Sequence, residues 1–333
     1  MFVNKKAKII LGALAVMGLM VYMQKSNSDE LHSNLEKTEA TDQQQDEIRQ
    51  LFKKDISNNS QLAYENFKQD YANNSSRHTL AHVFGEELYV SEGYNGVAVC
   101  DDTFEFGCYH GFFSAGLSSG DMNEIYKFDE ACKSKWGEKF LPCQHGIGHG
   151  ILSQGMDLNE ALEWCKKITW HPTGGCTSGV FMEYNFPTLT DHSGTAPRKL
   201  SGDNYYSPCD KVSVDFVNGC YFELPQWWLS VVNRDFGKMG QLCNDVESGN
   251  GRQWCFYGIG NYAAANSNFN ISSTITICDS IDVKDGQNWC RESAAWLYLP
   301  KANQAENVKA LCGKIPECLQ RLKLNPYFDE KQN

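Results

Sequence analysis

The 333-residue chain lacks several short motifs by which common chemistries announce themselves. It contains no phosphate loop, no dinucleotide fingerprint and no haem-attaching Cys-x-x-Cys-His. Nothing therefore points to a cradled nucleotide or a covalently held haem. Positive charge is also short, with 30 Lys and Arg against 41 Asp and Glu and a net charge of −11. Such a surface repels polyanions, which argues against nucleic acid and anionic lipid surfaces as partners. Long apolar runs are scarce too. The run from Ile9 to Met23 covers 15 residues, short of the about 20 that span a bilayer comfortably.

That run follows Lys5, Lys6 and Lys8, the order of a basic n-region and an apolar h-region. No small-x-small cleavage site comes after it, because Ala13 and Ala15 lie inside the run. Residues 1–24 read as an uncleaved signal anchor in preference to a cleaved signal peptide. The remaining chain is then exported. It is membrane-anchored facing the periplasm or cell exterior, or secreted if the segment is cut. Residues 25–50 are polar, with a low-complexity stretch from Asp42 to Asp46, and read as a tether. Residues 51–333 are long enough to bury a substantial core.

Cysteine, by contrast, is abundant and ordered. Fourteen cysteines form seven couples: Cys100 with Cys108, Cys132 with Cys143, Cys165 with Cys176, Cys209 with Cys220, Cys243 with Cys255, Cys278 with Cys290 and Cys312 with Cys318. Successive first members are 32, 33, 44, 34, 35 and 34 residues apart. A stride near 34 is that of two-helix repeat units. An even count suits an oxidising compartment, although the count alone permits many connectivities. Read in phase, each couple joins the end of one unit's second helix to the first helix of the next. Bridging it closes a short loop, worth about 2–3 kcal/mol in the chain-entropy model. With each thiol partnered, a cysteine nucleophile or cysteine metal ligand is disfavoured.

Aligned on the second cysteine, the units read CYHGFFSAGL, CQHGIGHGIL, CTSGVFMEYN, CYFELPQWWL, CFYGIGNYAA and CRESAAWLYL. Gly111, Gly146, Gly179 and Gly258 stand three residues after that cysteine. Helical glycine costs about 1 kcal/mol relative to alanine, so its recurrence predicts close backbone approach between helices. Asp121-Met-Asn-Glu124 and Asp157-Leu-Asn-Glu160 carry helix-start signals. The segment between Asn185 and Tyr206, rich in Gly, Ser, Thr and Pro, reads as a surface loop inserted in the third unit. The fold expected is all-α, a right-handed α/α solenoid of about seven two-helix units stapled by seven local disulfides. In period and paired cysteines it resembles the Sel1-like repeat proteins, relatives of the tetratricopeptide class. The likeness covers most of residues 76–320 as spacing alone, without the glycine and alanine consensus, and implies architecture but no functional residues.

Measured from the cysteines, five of eight histidines fall into two columns, two and six residues on. They are His78 and His82 (with Ser76 at the cysteine position), His110, and His145 with His149. His-x-x-x-His on a helix sets two imidazoles on one face and suits a divalent transition metal such as zinc, iron or copper. Packed helices lie about 8–10 Å apart, too far for one ion to collect all five. His110 completes a three-histidine set with either neighbour, or two sites share the middle helix. Glu183 is a candidate carboxylate ligand, proton carrier or catalytic acid. Helix capping and acid–base work without metal are the other readings of the same columns. Glu183 and Glu223 near Phe181, Tyr184, Trp227 and Trp228 suit glycan cleavage or stacking, or else a core with one solvated acid. The functional expectation is an exported metal-binding repeat protein and, as its catalytic version, a metal-dependent enzyme that activates water or oxygen. The alternative is a non-catalytic scaffold for protein, peptide or cell-wall glycan.

Overall fold

The structure, a computed structural model, describes residues 42–187, 197–299, 304–313, 315 and 318–323. These residues form fourteen α-helices and no strand. In chain order they are α1 (Asp42–Asp70), α2 (Arg77–Glu92), α3 (Gly107–Leu117), α4 (Glu124–Trp136), α5 (Leu141–Leu152), α6 (Leu158–Cys165) and α7 (Gly175–Asn185). There follow α8 (Val217–Val231), α9 (Phe236–Asn244), α10 (Gly249–Asn266), α11 (Ile271–Asp279), α12 (Lys284–Tyr298), α13 (Ala305–Cys312) and α14 (Cys318–Leu322). A 3-10 turn covers Gly93–Ala98. The basic and apolar segment Lys5–Met23 lies outside the described residues. Among the described residues no helix is long and apolar enough to cross a membrane.

Helix α1 corrects the end of the expected tether, residues 42–50; the tether's residues 25–41 lie outside the described residues. The helix begins at Asp42, inside the polar stretch, and Ile48, Phe52 and Ile56 are all buried. Their i, i+4, i+8 spacing places three apolar side chains in one stripe against the core, which outweighs the polar composition around them. Arg49 on the same helix donates to Glu86 and Glu87 of α2, closing the seam.

All seven expected disulfides are formed, with Cα–Cα distances of 5.4–5.6 Å. Cys100 is bridged to Cys108, Cys132 to Cys143, Cys165 to Cys176 and Cys209 to Cys220. Cys243 is bridged to Cys255, Cys278 to Cys290 and Cys312 to Cys318. No cysteine is free, so Cys143, Cys220 and Cys255 are staples and not ligands or nucleophiles. Seven bridges in one chain are those of a protein that matures in an oxidising compartment. Each bridge sits at a junction between helices, and α2 and the helices carrying the second cysteine of a couple pack in sequence order. α2 packs on α3, α3 on α5, α5 on α7, α7 on α8, α8 on α10 and α10 on α12.

Close backbone approach is what glycine provides here. A Cβ on Gly111 of α3 would lie 1.9 Å from the His82 carbonyl oxygen of α2, and one on Gly85 of α2 would lie 2.1 Å from the Cys108 carbonyl of α3. The same reciprocity joins α5 and α7, where Gly179 abuts the His145 carbonyl and Gly148 the Cys176 carbonyl. Gly146 differs: it makes room for the Phe113 ring and the Tyr109 Cβ.

Of the two helix-start signals, Asp157 caps α6 by accepting from the Asn159 N–H. Asp121 instead accepts from Asn123 in a turn, and α4 starts only at Glu124. The third unit's insertion packs on the protein where it is described. Trp227 and Trp228 of α8 are fully buried, and their indole N–H groups donate to the Arg198 and Tyr205 carbonyls of that segment.

Candidate metal centre

The five column histidines converge. His78 and His82 lie on α2, His110 on α3, and His145 and His149 on α5. Between α2 and α3 the backbones approach closely, with no room for a Cβ at Gly111 or Gly85. There Gly111 lets the backbone of α3 settle on the His82 carbonyl, which seats the adjacent His110 against His82. His78 Nε2 lies 3.0 Å from His82 Nε2, and His110 Nδ1 lies 3.3 Å from His82 Nε2. On α5, His145 Nε2 and His149 Nε2 are 3.1 Å apart.

Two triads result, His78/His82/His110 and His110/His145/His149, each offering three nitrogens within 4.8 Å of one another. His110 belongs to both. With metal–nitrogen bonds of about 2.0–2.1 Å, ligands set roughly 90–110° apart are separated by about 2.9–3.4 Å. The three observed nitrogen contacts fall in that range.

Outer partners fix the tautomers. His78 Nδ1 is 2.8 Å from the Phe104 carbonyl, which can only accept, so Nδ1 carries the proton and Nε2 a lone pair. His149 Nδ1 is 2.8 Å from a Glu183 carboxylate oxygen, which likewise accepts the Nδ1 proton. In both pairs, therefore, one Nδ1 is held by an outer acceptor and its Nε2 faces the i+4 or i−4 neighbour. This is the arrangement by which outer hydrogen bonds orient metal-binding imidazoles.

The contacts cannot all be satisfied by imidazole protons. His82 Nε2 faces both His78 Nε2 and His110 Nδ1, and one proton there serves one contact. His110 Nε2 is buried without a hydrogen-bond partner. A buried polar group left in that state costs about 1–3 kcal/mol. A cation among the nitrogens would satisfy them together. Burial, reinforced for His110 and His145 by the neighbouring imidazoles, pushes both well below the usual histidine range, and burial lowers His78 as well. All three are thereby kept in the neutral form that binds metal. His149 is fully buried and His110 only 2% exposed, while His78 and His145 are partly exposed and form the rim.

The Phe104 carbonyl comes from a strained turn. Phe104, Glu105 and Phe106 all have positive φ (54°, 53° and 63°) without being glycine. A left-handed run of this kind costs about 1–2 kcal/mol per residue, and the Cys100–Cys108 bridge closes around it. Strain held next to a polar constellation is characteristic of functional sites.

Glu183 stands behind His149 and not among the nitrogen ligands, so its placement fits orientation of the imidazole in preference to direct ligation. Its carboxylate reaches α5 because Gly179, one helical turn earlier on α7, abuts the His145 carbonyl. Glu223 is separate. It accepts from the Tyr262 hydroxyl at 2.7 Å and is 2% exposed. With both acids and both tryptophans buried, none offers a surface on which a glycan could stack. The sequence pattern located all five histidines. The Phe104 carbonyl escaped it, because a backbone acceptor leaves no mark in residue type.

Burial raises the Glu223 carboxyl from 4.5 to about 7, against the downward pull of Tyr262 and Ser178. A folded-state pKa above the unfolded one contributes stability that is complete below the unfolded value and lost as pH rises through the folded one. Glu223→Gln removes this dependence and retains an acceptor for Tyr262. Melting temperatures of parent and variant should run together below about pH 4.5, separate progressively between about pH 4.5 and 7, and keep a constant gap above that, with the variant higher. Parallel curves across that range would remove Glu223 as a source of pH sensitivity.

Compared with family models, curated proteins and solved structures, the chain matches none. Its function is argued from the site alone.

Proposed function

We propose that this is an exported, membrane-tethered α/α solenoid of about seven stapled units, of the Sel1-like kind in period, whose function is to bind a transition metal through His78, His82, His110, His145 and His149. The observation that carries this reading is the pair of His-x-x-x-His helices whose Nε2 atoms stand 3.0 and 3.1 Å apart, each with one Nδ1 held by an outer acceptor. A set made wholly of imidazoles favours zinc, copper or iron over magnesium or calcium, which take oxygen ligands. Three protein nitrogens around an ion leave a coordination position for water or oxygen, as in catalytic centres and unlike closed structural ones. The partly exposed rim at His78 and His145 gives small molecules access to that position.

Metal analysis of the oxidised chain, grown with added zinc, copper and iron and purified without chelators, tests the proposal. Bound metal is expected in the parent and a clear reduction in His145→Ala/His149→Ala. Near-zero metal in both sinks the reading and leaves the alternative of a scaffold for a protein or peptide ligand. Equal, substantial metal in both removes His145 and His149 from the site.

A further inference from the structure

We infer that the two triads hold two ions at once, with His110 bridging them as an imidazolate, Nδ1 on one ion and Nε2 on the other; this rests on the metal reading above. Three observations lead there. First, His110 is common to both triads, with its ring centroid 5.4 and 5.3 Å from His78 and His82, and 6.0 and 4.0 Å from His145 and His149. Second, its two nitrogens have different surroundings. Nδ1 is engaged at 3.3 Å with His82, while Nε2 is buried and has no hydrogen-bond partner. Third, each flanking pair has its own outer acceptor, the Phe104 carbonyl for one and the Glu183 carboxylate for the other, so each is oriented independently.

A single ion would use one nitrogen of His110 and leave the other as a buried orphan. Two ions use both. Binding of the second ion displaces the remaining N–H proton of His110 to solvent. The imidazolate then donates one lone pair to each metal, and its negative charge offsets part of the repulsion between two cations. The ligand class is a pair of divalent ions with strong nitrogen affinity, copper or zinc foremost.

Copper(II) titration followed by electron paramagnetic resonance at liquid-helium temperature provides the test. Two equivalents are expected to bind, with an integrated signal far below two spins, because electrons on ions joined through an imidazolate pair antiparallel. His149→Ala should bind one copper with a full one-spin signal, since the triad on α2 and α3 is untouched. His110→Ala should lose the spin pairing while any copper it retains gives its full signal. Two equivalents with two full spins in the parent would overturn the bridge, as would saturation at one equivalent. Either result leaves metal binding itself standing, whereas no bound copper or zinc at all removes both readings.

Discussion

Replacing Gly111 with alanine is expected to destabilise the protein by about 3 kcal/mol and to reduce its metal content in the same step. The added Cβ would stand 1.9 Å from the His82 carbonyl oxygen, a distance that no side-chain rotation relieves because the obstructing atom is backbone. Helices α2 and α3 must then separate, and the approach of His110 to His82, now 3.3 Å, opens first. Gly179→Ala should act likewise on α5 and α7, where the added carbon meets the His145 carbonyl, also at 1.9 Å, and Glu183 is drawn away from His149. Gly249 is the control. No atom lies within 4 Å of its added carbon, and it opens α10 behind the Ser248 cap. Gly249→Ala should therefore be neutral or mildly stabilising. Denaturant unfolding with the disulfides intact, beside metal analysis, separates these cases. A Gly111→Ala midpoint equal to that of Gly249→Ala would show that the helices have slack, and the account of how His110 is seated would fail.

These glycines show how far residue pattern alone reaches. The couples of Cys132 with Cys143, Cys209 with Cys220 and Cys243 with Cys255 were legible as staples because each bridge spans one local junction, and spacing encodes local closure. The histidine columns were legible for the same reason, being periodic against that ruler. What spacing could not give is the interhelical distance. Gly111 and Gly146 hold the same repeat position, yet one meets a backbone carbonyl and the other the side chains of Phe113 and Tyr109. Nor could it reveal that α1 starts at Asp42, because three buried apolar residues are diluted by the polar ones between them. The left-handed turn at Phe104–Phe106 contradicts local preference outright, and it is held by the enclosing Cys100–Cys108 bridge together with the His78 contact to the Phe104 carbonyl.

Arg321→Ala is expected to cost about 3 kcal/mol, the low end for breaking a buried ion pair. Arg321 of the short helix α14 donates from Nε and Nη2 to the two carboxylate oxygens of Glu292 at 2.6 and 2.5 Å. The Glu292 side chain is fully buried, whereas that of Arg321 is 42% exposed, so removing the arginine leaves the acid enclosed without its counter-charge. Adding Glu292→Gln to Arg321→Ala should restore much of the loss, because the enclosed charge is then gone. Thermal unfolding of the two single variants and the double one measures this coupling, and Arg321→Ala melting with the parent would refute it. The pair also bears on the proposed metal centre. Glu292 stands two residues after Cys290, in the column that carries His78, His110 and His145 in earlier units. In the last unit this buried polar position receives its cation from the chain itself, as a guanidinium. In the units of α2, α3 and α5 the column holds neutral imidazoles, with no lysine or arginine hydrogen-bonded to them among the described residues. Restoration by Glu292→Gln would show that the slot requires a cation only when it carries a charge. Under the metal-binding proposal the histidine units are the complementary case, in which imidazole nitrogens take their cation from solution.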